Sequence, residues 1–183
     1  MKKYIEVLIC ISCLLASAVF YGQKYSTRNG NLKFEATVPS FEEIVGDNKT
    51  ASAVLDSQKG ELAVLGLMKG FRFKVALMEE HFNENYVESD KFPKATFKGK
   101  IEGFDVSKVT AEAKTYNITG DLTLHGKTKK ITDAAKISKS GDNIIISGNF
   151  IVKPADFDIE IPKMVSSKVS EKVQVTYNFT LAK

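Results

Sequence analysis

The segment HFNENYVESDKFPKATFKGKI, residues 81–101, gathers a histidine, the carboxylates Glu84, Glu88 and Asp90, and aromatic residues on both sides of Pro93. A histidine and a glutamate three apart on a helix, as His81 and Glu84 are, can share a metal ion. Such a site needs further donors, and the chain holds one other histidine, His125, and no second histidine–carboxylate pair. No metal site is therefore expected. Acid–base work by Glu79, Glu80, Glu84, Glu88 or Asp90 would require burial to shift a carboxyl pKa, and acids at this density read as a solvated face. His125 precedes Gly126 at a hairpin tip, a place for a turn residue or a hydrogen-bond donor. A Gly-x-Ser-x-Gly elbow, a phosphate loop and a dinucleotide fingerprint are all missing. No catalytic residue is assigned, and His81 and His125 stand as candidate polar contacts.

The elements that position these residues follow a leader. Lys2 and Lys3 precede the apolar run Val7 to Phe20, and Ala16-Ser17-Ala18 offers small residues for cleavage. This pattern predicts an export signal over residues 1–22, cut after Ala18 or as late as Gly22. The run is shorter than the roughly 20 residues that span hydrocarbon, so a permanent anchor is disfavoured. Lipid attachment is disfavoured too, because Cys10 occupies the place where a lipoprotein signal needs leucine before Cys13. Both cysteines fall inside the signal, so residues 23–183 have no disulfide, thiol nucleophile or cysteine metal site. That remainder has the size of one domain. Losing Lys2, Lys3 and Glu6 lowers the formal charge from +4 to +3, too mild for nucleic acid. The lysines of GKTKKITDAAK read as a strand edge kept soluble, or as a transient contact with an anionic membrane surface.

Hydrophobic period then assigns the elements. KVQVTYNFTLA places Val173, Val175, Tyr177, Phe179 and Leu181 on one face and polar residues on the other, which is a half-buried strand. The same alternation runs through NLKFEATV, ATFKGKI and YNITGDLTLHG, while NIIISGNFIV is apolar on both faces and reads as a doubly covered strand. Turn residues at 56–60, 125–126 and 140–143 separate the runs at hairpin distances. The sum is an antiparallel sheet of about eight strands, closed or nearly so. One segment breaks the rhythm. Val75, Met78, Phe82 and Tyr86 recur every three or four residues and predict an amphipathic helix that ends before Pro93.

The strands carry small residues on their inward faces: Ala36, Gly66, Ala95, Gly99, Gly120 and Gly148. Glycine allows the curvature a barrel wall requires, and missing side chains also leave space for one ligand. The predicted lumen is lined from the earlier strands by Phe34, Val64, Phe97, Tyr116, Ile118 and Leu122. The later strands contribute Phe150, Val175, Tyr177 and Phe179, and the helix contributes Met78, Phe82 and Tyr86.

Three blocks carry a resemblance: HFNENYVESDKFPKATFKGKI, YNITGDLTLHGKTKKI from Tyr116, and FIVKPADFDI. In order and spacing they resemble the YceI-like family of exported, lipocalin-like proteins. The resemblance implies an all-β fold, an antiparallel eight-stranded β-barrel with one short α-helix, whose lumen holds a long isoprenoid or other long-chain amphiphile. The family's aromatic after the histidine is matched by Phe82. Its Glu-Ser-x-Lys-Phe/Tyr-Pro block is matched by Glu88 to Pro93, and its Leu-Thr-x-His-Gly turn by Leu122 to Gly126. Two departures stand out. Asn29-Gly30 replaces a His-Ser pair that many members carry before the first strand, and Asp156-Phe157-Asp158-Ile159 has an acid in place of a glycine. These put the head-group preference and the local backbone geometry in question.

Energetics favour binding without a polar motif. Each buried methylene is worth about 0.8 kcal/mol and micromolar affinity needs about 8 kcal/mol, so a long chain leaves a surplus after ordering costs. The expectation is a periplasmic or secreted carrier for an isoprenoid or quinone-like lipid, with no other cofactor. A filled structural or protein-interaction barrel, and a lipid-acting enzyme or accessory subunit, are the alternatives the residues leave open.

Overall fold

A computed structural model describes residues 24–183; the expected export signal, residues 1–22, lies outside the described residues. Eight strands follow one another: β1 (Lys24–Thr37), β2 (Val45–Asp56), β3 (Glu61–Leu67), β4 (Lys94–Ile101), β5 (Lys114–Leu124), β6 (Lys127–Ser140), β7 (Asn143–Val152) and β8 (Val169–Leu181). Every sequential pair is antiparallel, and β8 pairs with β1 to close the barrel. Closure pairs the first strand with the last and so removes the outer edges of the sheet, the usual hazard of an antiparallel sheet.

An up-and-down barrel places its connections alternately at two ends. The lower end carries the tight β2–β3 and β6–β7 turns, with Gly60 and Gly141 at φ of +68° and +58°, and the longer β4–β5 connection, residues 102–113. The Asp56 carboxylate accepts from the Gln58 and Lys59 amides, each at 3.1 Å, which fixes the β2–β3 turn. The upper end carries the β1–β2, β3–β4 and β7–β8 connections and the tight His125–Gly126 turn. Between β3 and β4 lies helix α1 (Ala76–His81), and it is shorter than the periodicity predicts. From Phe82 to Tyr86 the chain widens into a π-helical turn, closed by the Val87 amide donating to Phe82 O at 3.0 Å. Apolar spacing alone does not separate these two geometries, and such π turns often mark functional places.

The interior divides into two halves. The lower is packed solid around Leu55, Ile137, Ile144, Ile146 and Leu181, all essentially without exposure. Here the mid-strand glycines make room for the protein's own rings. A Cβ on Gly99 would stand 2.4 Å from Phe97 Cζ, and one on Gly30 would stand 2.5 Å from Phe179 Cδ1. The upper half gathers Met68, Phe71, Val87, Leu122, Val152, Phe157 and Ile159 around open space.

One further expectation changes. The outer face of β7 is not covered, since Ile151 is 61% exposed while Ile144 and Ile146 point into the core. In a closed barrel every strand is equivalent, so no strand is doubly buried. The β6–β7 ladder is also short, running only from Lys136 opposite Ser147 to Ser140 opposite Asn143. Above it the two strands part, and the 3₁₀ turn Pro154–Phe157 packs near the wedge with Phe157 buried.

Candidate ligand-binding lumen

The upper half encloses a cavity of about 480 Å³. Its walls follow from strand parity. Successive residues alternate faces, so Leu32, Phe34 and Ala36 of β1, Val64 and Gly66 of β3, and Val173, Val175 and Tyr177 of β8 all face inward. Ala36, Gly66 and Ala95 lack the bulk to fill the centre, and the space the sequence anticipates from small residues lies beside them. Glycine does not by itself leave a void: a Cβ on Gly66 would stand 2.8 Å from Leu32 Cδ1, just as the glycines of the lower half are covered by rings.

Of the lumen residues predicted above, Phe34, Val64, Met78, Phe82, Tyr86, Phe97, Ile118, Leu122, Phe150, Val175, Tyr177 and Phe179 line this cavity. Tyr116 does not. It faces inward, but at the closed lower end, where its ring packs against Phe104 with centroids 6.2 Å apart. Strand parity gives the face a residue occupies but not its depth.

The roof is aromatic. Phe82 stands at the centre of a cluster with Phe34, Phe71 and Phe73, at centroid distances of 5.2, 5.7 and 5.2 Å. Phe71 and Phe73 were not anticipated, although the alternation Phe71-Arg72-Phe73 is an inward-facing signal. Glu79 ties α1 to that segment. Its carboxylate pairs with Arg72 at 2.5 Å and accepts from the Phe73 amide at 3.2 Å. Glu79 is thus a strut, whereas Glu80 and Glu84 are the solvated acids expected. The mouth is framed by Phe41, Glu42 and Ile44 after β1, by α1, and by the β7–β8 connection with Ile161, Val165 and Lys168.

The two histidines are not brought together. His81 is exposed at the mouth. His125, at φ +49° in the β5–β6 turn, lies outside the cavity lining. Its Nδ1 donates to Phe157 O at 2.9 Å, its Nε2 meets Glu88 Oε2 at 2.9 Å, and Phe92 packs edge-on at 4.4 Å. The histidine turn, the Glu88–Pro93 block and the Asp156–Ile159 block therefore meet at one point. At the third, Asp158 adopts φ +55° and ψ 31°, a left-handed geometry that glycine takes freely and aspartate tolerates. Lys127 reaches Asp158 at 2.8 Å and holds its carboxyl below the usual range. The acid thus keeps a glycine-like backbone, and no cluster able to hold a metal occurs among the described residues.

One polar pair faces the apolar cavity. The Tyr177 hydroxyl on β8 donates to Asp133 Oδ2 on β6 at 2.5 Å, and both residues belong to the lining. Burial, and then the bond to Asp133, push the Tyr177 phenol far above its ordinary range. Asp133 was not anticipated. It lies in the lysine-rich segment read as a solvent edge, yet parity with Ile131 and Ala135 points it inward.

A closed eight-stranded antiparallel barrel with an apolar cavity under a short helix is a lipocalin-like barrel. Within that class the chain belongs to the YceI-like family, for residues 23–181 match the family model of the YceI-like domain. A polyisoprenoid binding domain from Saccharophagus degradans, implicated in plant cell wall breakdown, is similar with a TM-score of 0.75 at 14% identity. The match covers 87% of this chain and 98% of that one. BcnA of Burkholderia cenocepacia is similar at 0.68 and 19% identity, over 84% and 96% of the two chains. The YCEI protein of Campylobacter jejuni follows at 0.56 and 23%, over 75% and 84%. These likenesses establish the fold. No curated protein matches the chain in sequence.

Proposed function

We propose that the protein is an exported carrier that holds a long-chain isoprenoid, quinone-like or similar amphiphilic lipid in its barrel lumen. The observation that carries this reading is the cavity of about 480 Å³, walled almost wholly by hydrocarbon side chains in a YceI-like barrel. Ligand pockets commonly measure about 300–1,000 Å³. A side chain missing from an otherwise close-packed interior forfeits contacts, and an apolar chain in the lumen restores them. The polyisoprenoid binding named for the Saccharophagus degradans domain supports the same ligand class.

The arrangement of the histidines supports binding rather than catalysis. Among the described residues His81 pairs with no carboxylate at the mouth, and the His125–Glu88 pair sits outside the lining, braced by Phe92 and the Phe157 carbonyl. Delivery at a membrane is supported by the rim. Phe41, Leu77 and Met164, one on each segment framing the mouth, are 45%, 56% and 90% exposed. Export is supported by the leader pattern at residues 1–22.

The test is mass spectrometry of an organic extract from mature protein purified without detergent from a cell related to its source. A stoichiometric long-chain lipid is expected. An empty extract, repeated after incubation with long-chain alcohols, quinones and hydrocarbons, overturns the reading in favour of a barrel with a structural or protein-binding role.

A further inference from the structure

We propose that the Asp133–Tyr177 pair is a polar anchor inside the lumen that accepts a hydrogen bond from the uncharged, donor-bearing end of the lipid. The protein then selects long-chain alcohols or phenols over chains of the same length ending in phosphate or carboxylate. This deepens the carrier reading and rests on it.

Parity forces the placement. Along β6 the inward positions are Ile131, Asp133, Ala135 and Ile137, so the carboxylate is carried into an apolar wall by the same alternation that buries its neighbours. Tyr177 Oη satisfies Oδ2, while Oδ1 has no hydrogen-bond partner among the described residues. Nor does any lysine, arginine or histidine there form an ion pair with Asp133, and the basic lining residues, His81 and Lys168, lie on segments that frame the mouth. A carboxylate in low-dielectric surroundings strongly disfavours a second anion and strongly favours a donor. An incoming hydroxyl satisfies the free oxygen; a phosphate meets repulsion.

The site is also shaped. A Cβ on Gly148 would stand 2.4 Å from Tyr177 Oη and 2.6 Å from Asp133 Oδ2, so the pair occupies the space that only glycine leaves. Tyr177 is held in turn by the stacked ring of Phe179, centroids 5.5 Å apart. Because the pair bridges strands where the β6–β7 ladder is missing, a purely structural clasp is the competing account. That account requires the tyrosine–aspartate bond but is indifferent to the ligand's terminal group.

The experiment measures binding of three isoprenoid ligands of one chain length, a hydrocarbon, its terminal alcohol and the alcohol's monophosphate, to wild type, Asp133→Asn and Tyr177→Phe. Asparagine still accepts from Tyr177, so the clasp and the fold persist while the charge is lost; melting and circular dichroism verify this. Wild type should prefer the alcohol over the phosphate by about tenfold or more, the scale of one hydrogen bond to a charged acceptor. Asp133→Asn should remove most of that preference, chiefly by admitting the phosphate. If all three ligands bind wild type alike and Asp133→Asn changes nothing, the anchor is wrong while the carrier reading stands. Preference for the phosphate in wild type also overturns the anchor. If no ligand binds, hydrocarbon included, the carrier reading fails and takes the anchor with it.

Discussion

His125 Nε2 on the β5–β6 turn lies 2.9 Å from Glu88 Oε2, 37 residues earlier, and its other ring nitrogen holds the Phe157 carbonyl. One side chain thus pins three connections at the upper end of the barrel. The side chain is only 9% exposed, so its removal leaves a carbonyl unpaired and Phe92 unsupported. His125→Ala should destabilise the protein by about 2 kcal/mol, read by chemical denaturation. Bound lipid should be retained while the protein stays folded. Loss of lipid with unchanged stability would instead make His125 a ligand contact.

Phe82 is central to the roof cluster and lines the cavity. Being half-buried, Phe82→Ala should cost about 2 kcal/mol, below the range for a fully buried phenylalanine. Phe82→Asp places a carboxylate against Phe34 and should lower the melting temperature further or abolish lipid retention. Unchanged melting together with unchanged bound lipid would count against the roof's role.

Tyr177 gives a pH dependence of known sign. Its folded pKa is raised above the ordinary value of 10.0. The folded state therefore favours the protonated phenol, and the resulting stability is fully present below about pH 10 and is lost as pH rises above it. Stability measured across the alkaline limb should fall less steeply for Tyr177→Phe than for wild type. Equal slopes would show that the phenol is not shielded.

Phe41, Leu77 and Met164 are exposed around the mouth. If the mouth meets a membrane during transfer, replacing all three by serine should reduce sedimentation with phosphatidylcholine vesicles and slow lipid transfer between them, leaving melting nearly unchanged because exposed sites contribute little to stability. Identical transfer rates would refute a docking role for the rim.

Export is checked on the mature protein itself. Intact mass after expression in a related cell should correspond to a chain beginning between Val19 and Gln23, recovered from the periplasm or medium. A full-length mass in the cytoplasmic fraction would refute the leader.

Short-range period is the part of this fold that the amino-acid order carries on its own. Alternation over two residues put Phe34, Phe97, Ile118, Val175 and Phe179 on inward faces, because the pleat of a strand fixes orientation locally. Gly60, Gly126 and Gly141 marked turns for a similar reason, since positive φ is a property of single residues. Depth, partners and vacancy needed the closed barrel. Tyr116 shares a face with Ile118 but packs against Phe104 at the lower end. Asp133 was hidden among lysines, and only the meeting of β6 and β8 across the parted ladder gives it Tyr177, 44 residues away. The small residues announced that space could exist. Where it opened was decided by Phe97 and Phe179, whose rings pack over the glycines below them and leave the upper half open.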